Sequence, residues 1–208
     1  MNFYLLSNMH NLQYDTSPKL KIQPILQTAR LVLRPFYFQD AKEIQRLAGH
    51  PDIAATTQHI PHPYYDGYAE AWIQSVHTSF RQGLQYMYAI TLKSTDELIG
   101  SVGLSMHWEH ESASMGYWMG RDYWGKGYCT EGAKIIIGLG FDILGLNRIQ
   151  AKHLKRNPSS GKVLLKIGMH PEGVERQSTR VRGVLEDLVS YGMLKMDPRK
   201  DDTKYTYF

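Results

Sequence analysis

The chain has 208 residues, 42% of them hydrophobic and 21% charged, proportions that fit one globular domain and exclude a disordered chain, a collagen-like repeat and a coiled coil. Its one cysteine, Cys129, cannot close an internal disulfide, which excludes a disulfide-stapled secreted scaffold and points to a reducing compartment, the cytoplasm. The formal charge of +4 is uneven: residues 148–208 hold 13 Lys or Arg against 7 Asp or Glu, the first 147 hold 11 against 13, and the basic residues are scattered along the C-terminal part rather than blocked, which disfavours a nucleic-acid partner.

No apolar run reaches the roughly 18–20 residues of a membrane span, and the first residues lack a basic segment followed by a long apolar one, so neither a membrane anchor nor a signal peptide is expected. Residues 1–27 show no sustained period and read as an N-terminal extension. Leu31 and Leu33 alternate with Arg30, Val32 and Arg34 up to Pro35, a strand. Asp40, three residues before Glu43, predicts a capping box opening a short helix that ends near Gly49. A loop is expected over residues 51–65. Ala69, Trp72, Ile73, Val76 and Phe80 then recur at helical spacing up to Gly83.

Residues 86–92 and 98–104 read as a hairpin, with a third strand over 113–119. Ala133, Ile136, Ile137, Gly140, Phe141 and Leu144 predict one long helix closed by Gly145. A strand over 148–154, a turn at 157–161, a short helix to Gly168, and strands near 169–175 and 184–191 complete the order β α α β β β α β α β β. The expectation is a single α/β (α+β) domain over residues 28–195, a mixed sheet with helices on its faces, followed by a tail over 196–208.

The most informative segment is Gly125, Lys126 and Gly127 between a strand and a helix. Two glycines let consecutive backbone N–H groups converge, the helix adds its unpaired donors and positive dipole end, and Lys126 can add a point charge, so a phosphate or pyrophosphate fits. No Gly-Lys-Ser or Gly-Lys-Thr follows, and the third glycine of a dinucleotide loop is missing, which excludes both nucleotide-loop motifs. The histidines show no zinc-ligand spacing with cysteine, and no metal is expected.

The runs Met115-Gly116-Tyr117-Trp118-Met119, Tyr123-Trp124-Gly125-Lys126-Gly127-Tyr128-Cys129-Thr130-Glu131 and Leu146-Asn147-Arg148-Ile149, then residues 157–168, resemble the GNAT superfamily of acyl-CoA-dependent N-acyltransferases. Residues 28–35, with Asp187 and Tyr191, place the resemblance nearest its RimJ/RimL-like, ribosomal-protein-acetylating branch. It implies a mostly antiparallel sheet that splays open to receive acetyl-CoA. The pyrophosphate would lie on the amides of Gly125, Lys126, Gly127, Tyr128, Cys129 and Thr130, and the pantetheine arm would pair with the strand at Tyr117, Trp118 and Met119. Asn157 would hold the arm and Ser160 would hydrogen-bond the leaving sulfur. Asn157 and Ser160 equally suit helix capping, Trp118 and Trp124 suit packing, and Cys129 lacks a base that would make it a nucleophile.

The family's usual acids are replaced: one matching position is Ser114, another falls among Ser178, Thr179 and Arg180, and Asp122 stands where Arg or Gln commonly opens the cofactor loop. His107, Glu109, His110 and Glu111 are the substitute bases on offer, with Glu109 and Glu111 the carboxylates; a water chain is the alternative. The resulting expectation is acetyl transfer to a primary amine of a protein N-terminus or small molecule. An acyl-CoA-binding sensor that has lost turnover is the competing reading, and a homodimer is left open.

Overall fold

A computed structural model describes residues 20–199 and the strand Thr206–Tyr207. Among the described residues, nine strands form one sheet: β1 (Leu26–Gln27), β2 (Leu31–Arg34), β3 (Gln85–Leu92), β4 (Leu98–His107), β5 (Ser112–Met119), β6 (Arg148–Leu154), β7 (His170–Val181), β8 (Val184–Leu194) and β9 (Thr206–Tyr207). Their order across the sheet is β7-β8-β6-β5-β4-β3-β2-β1-β9. The β5–β6 contact is parallel and the others are antiparallel.

Among the described residues, five α-helices cover the faces: α1 (Ala41–Ala48), α2 (Pro51–Thr56), α3 (Tyr68–Arg81), α4 (Tyr128–Gly138) and α5 (Pro158–Ile167). Alternation along β3 divides the core. Tyr86, Tyr88 and Ile90 join the cluster under α4 and α5, while Ala89, with Met87 at its margin, joins the cluster under α1 and α3.

Four local expectations change. The Asp40 carboxylate does not cap with Glu43; it accepts from the Tyr37 N–H at 2.7 Å and binds the Arg34 guanidinium through both oxygens at 2.8 and 2.9 Å. Residues 51–56, expected as loop, form α2, started by Pro51 and by His50 Nδ1, which accepts from the Asp52 N–H at 3.1 Å. The helix expected to run to Leu144 stops at Gly138 and widens into a π-helical turn, Leu139–Ile143, where the Leu144 N–H reaches Leu139 O at 2.9 Å.

The fourth concerns the boundaries of the domain. Leu26 is fully buried, and Gln23 donates to Met87 O at 2.8 Å, so the packed sheet takes in residues before Thr28. From the tail expected after residue 195, Thr206–Tyr207 pairs with Leu26–Gln27 as an edge strand. Residues 1–19 of the expected extension lie outside the described residues.

Candidate active site

The site follows from a break in the sheet. Parallel pairing of β5 with β6 lasts for Ser112–Arg148, Ala113–Ile149 and Ser114–Gln150 and then ceases. β4 stays paired with β5 to Met119, and β8 stays paired with β6 to Leu154, so each strand is held on its outer side while the inner edges diverge. On the side facing β6, the backbone of β5 beyond Ser114 has no strand neighbour, an arrangement that favours an extended ligand in the gap. A cleft of about 1060 Å³ passes through this gap, lined by residues from both faces of the sheet.

Where β5 ends, the chain turns into α4 through Gly125 (φ 74°) and Gly127 (φ 81°). Both lie in the left-handed region, where a Cβ costs roughly 1–2 kcal/mol. The start of α4 thereby faces the cleft, and Gly125, Gly127, Tyr128, Cys129 and Thr130 line it. Lys126 does not. Its ammonium lies over the Tyr123 ring, 5.6 Å from the centroid, and its carbonyl accepts from Arg30 Nη1 at 3.0 Å. The expected point charge is therefore engaged by the Tyr123 ring and is not part of the cleft lining.

The loop is fastened from two sides. Arg30, at the foot of β2, donates from Nε to Glu131 Oε2 at 2.7 Å while its guanidinium covers the Tyr128 ring at 4.6 Å. Glu131 Oε1 accepts from the Arg30 N–H at 3.0 Å and from Thr28 Oγ1 at 2.5 Å. Burial works to raise the Glu131 pKa, but the hydrogen bonds from Thr28 and Arg30 outweigh it and hold the carboxyl below the usual range. On the other side, Arg121 donates to Asp52 Oδ2 of α2 at 2.8 Å and stacks on Trp124, whose indole N–H takes the Met119 carbonyl at 2.7 Å. Of the three strand residues expected to meet the pantetheine, Met119 thus has its carbonyl already occupied.

A depressed carboxyl pKa stabilises the folded chain fully above the unfolded value and loses that contribution as the pH falls through the lower folded value. Urea midpoints measured downward from neutrality are expected to drop below about pH 4.3, the ordinary glutamate value. In Glu131→Gln that acid-side loss shrinks.

Across the cleft, Tyr117 of β5 meets Ser160 in the first turn of α5. The tyrosine hydroxyl donates to Ser160 O at 3.0 Å and lies 2.9 Å from Ser160 Oγ. Burial drives the Tyr117 pKa far above its ordinary value, so the phenol stays protonated and serves as a donor. Asn157 caps α5: its Oδ1 accepts from the Ser160 N–H at 3.4 Å, and its Nδ2 donates to Thr56 O at 3.3 Å. Capping and a position lining the cleft coincide in this residue.

Cys129 sits in the first turn of α4, yet burial pushes its thiol up to about 12. Desolvation overrides the helix dipole, and the thiol stays protonated at neutral pH. Carbamidomethylation by iodoacetamide at pH 8, followed by mass spectrometry, is expected to be at least ~100-fold slower than for an unperturbed thiol of pKa about 8.5.

The two proposed carboxylate bases are elsewhere. Glu109 and Glu111 are exposed at the turn entering β5, and neither lines the cleft. Glu111 lies six residue steps before Tyr117, about 20 Å along an extended strand at 3.3 Å per step. His107 is held by Ser114 Oγ at 3.0 Å from Nε2, also away from the cleft lining. The Arg30–Glu131–Thr28 clamp escaped the sequence reading because its partners lie 101 and 103 residues apart, with no local signal.

Among the described residues, no cluster of His, Cys, Asp or Glu is arranged to hold a metal ion, and no helix is long and apolar enough to cross a membrane.

The sheet is thus parted between two parallel strands, with a glycine-started helix at the opening. Residues 30–170 match the family model described as acetyltransferase (GNAT) domain, and the chain belongs to that family. It is 33% identical over 174 residues to the uncharacterized N-acetyltransferase p20 of Bacillus licheniformis, covering 83% of this chain and 97% of p20. With its family and such relatives, the chain is an N-acetyltransferase. The fold is similar to that of Mycobacterium smegmatis RimJ in complex with CoA-disulfide, at a TM-score of 0.72 and 22% identity over 82% of this chain and 85% of that one. It is also similar to the microcin C7 self-immunity acetyltransferase MccE in complex with acetyl-CoA and AMP, at a TM-score of 0.73 and 19% identity over 80% and 93% of the two chains.

Proposed function

We propose that the protein transfers the acetyl group of acetyl-CoA directly to a primary amine, with the thioester held where β5 parts from β6. The observation that carries this reading is the end of β5–β6 pairing at Ser114–Gln150 beside the left-handed Gly125 and Gly127 that open α4. The α4 amides then receive the pyrophosphate, and the free edge of β5 from Met115 to Trp118 pairs with the pantetheine amides. RimJ and MccE, solved with CoA-disulfide and with acetyl-CoA, support this choice of donor.

The neutral amine nitrogen attacks the thioester carbonyl carbon to give a tetrahedral intermediate. The C–S bond then breaks, and the sulfur leaves as thiolate. Ser160 donates a hydrogen bond to that sulfur, its own oxygen positioned by the Tyr117 hydroxyl, as charge develops there. The excess proton on nitrogen passes to water, and the thiolate takes a proton to become CoA. With no Asp or Glu among the described residues that line the cleft, water replaces a carboxylate base.

An isotherm with acetyl-CoA and a thiol-release assay with amines test the proposal. Saturable binding and CoA release that requires an amine are expected. No binding at millimolar acetyl-CoA overturns the reading, and firm binding without release across a broad amine panel favours the acyl-CoA sensor.

A further inference from the structure

The amine acceptor can be narrowed from the part of the cleft that lies under α1 and α3. There its walls are Trp72, Tyr64, Tyr68, Trp118, Ile60 and Met87. Of these, Ile60, Tyr64, Trp72, Met87 and Trp118 pack against the core cluster of that face. Trp72 is braced by an edge contact to Phe36 at 4.8 Å, and Tyr64 meets Tyr68 at 6.1 Å, so the pocket presents rigid ring surfaces.

Charge is the second observation. No Asp or Glu is found among the described residues lining the whole cleft, whereas Lys152, Arg156, Lys162 and Lys166 are there. Lys152 and Arg156 are paired from outside it, with Glu175 and Glu186, each at 2.7 Å. An acceptor with further ammonium groups would lose their hydration and meet cations with no carboxylate in return. The same positive surroundings favour the free-base form of the reacting amine, which compensates for the missing carboxylate base.

The third observation is a bridge over this end of the cleft. Asn157 binds Thr56 O at 3.3 Å, Arg156 binds Ala55 O, Thr179 Oγ1 donates to Gln58 Oε1 at 3.4 Å, and Arg182 donates to Ile60 O at 3.2 Å. These contacts tie residues 55–60 to the β6–α5 turn and the β7–β8 hairpin. A small molecule fits beneath such a bridge better than the terminus of a folded protein.

We propose that the acceptor is a small arylalkylamine, a primary amine on a short chain from an uncharged aromatic ring; this rests on the acetyl-CoA reading above. The ring lies against Trp72 and Trp118, and the amine points through the gap at Gly116, where a Cβ would find no atom within 4 Å. Nitrogen gains the acetyl group to form an amide, the C–S bond breaks, and CoA leaves as in the reaction above.

The test is CoA release by the full chain at saturating acetyl-CoA with tryptamine, phenethylamine, spermidine and an alanine-initiated hexapeptide. The two arylalkylamines are expected to exceed spermidine and the peptide by about 100-fold in kcat/KM, the scale at which a hydrophobic pocket rejects an added polar group. Trp72→Leu is expected to raise the KM for tryptamine about tenfold, acting on KM rather than kcat, while the acetyl-CoA Kd stays within about twofold. Preference for spermidine or the peptide overturns the inference, as does acetyl-CoA binding with no arylalkylamine turnover. In both cases the acetyl-CoA site stands, whereas loss of acetyl-CoA binding itself removes both proposals.

Discussion

Arg30→Ala is expected to weaken acetyl-CoA binding by about ten- to a hundredfold without unfolding the chain. Glu131 lies four residues after Gly127, about 6 Å along α4 from the amides proposed to receive the pyrophosphate. Its carboxylate is tolerable there because Arg30 neutralises it at 2.7 Å. With Arg30 gone, a unit charge 6 Å from a phosphate at an effective dielectric of about 20 costs roughly 2–3 kcal/mol, reduced by solvent screening because the pair is partly exposed. The Lys126 carbonyl also loses its donor, which loosens the loop. The double variant R30A/E131Q removes the repulsion and is expected to recover most of the affinity, so calorimetry on the two single variants and the double separates charge from loop order. Additive losses would mean that Arg30 acts by holding the loop alone.

Ser160→Ala is expected to lower kcat by about a hundredfold, the lower end for losing a positioned proton donor in the transition state. Acetyl-CoA affinity should change by less than about threefold, because the hydroxyl serves the departing sulfur rather than the bound thioester. Tyr117→Phe should also lower kcat, by a smaller factor, since Ser160 Oγ loses its 2.9 Å partner but keeps its own proton. The Tyr117 pKa is raised far above the working range, so the pH–rate profile of the wild type should contain no step from its ionisation. Equal kcat in S160A and the wild type, measured by single-turnover acetyl transfer, would remove Ser160 from the chemistry.

The parts of this site that were legible in the sequence are those set by backbone chemistry. Gly125 and Gly127 stand where positive φ is required, and Asn157 before Pro158 announces the cap of α5. The alternating runs 86–92 and 113–119 lie within β3 and β5, with Tyr117 directed to one core and Trp118 to the other. What was hidden depends on groups remote in sequence. Arg30 reads as an ordinary outward residue of a strand, and only the fold brings it to Glu131.

Errors had local causes. Asp40 carries the right spacing to Glu43, but Arg34 and the Tyr37 N–H offer its carboxylate stronger partners. Six residues of α2 are too few for a helical period to be visible. The base assignment is a separate matter: Glu109 and Glu111 stand before the paired end of β5, where proximity in sequence to Tyr117 becomes distance along an extended strand.

Amide hydrogen exchange with and without acetyl-CoA bears most directly on the parted strands as the thioester site. Added protection is expected at the amides of residues 115–118 and 125–130, with none at the turn of residues 107–111. Protection confined to other segments, or none at saturating acetyl-CoA, would contradict it.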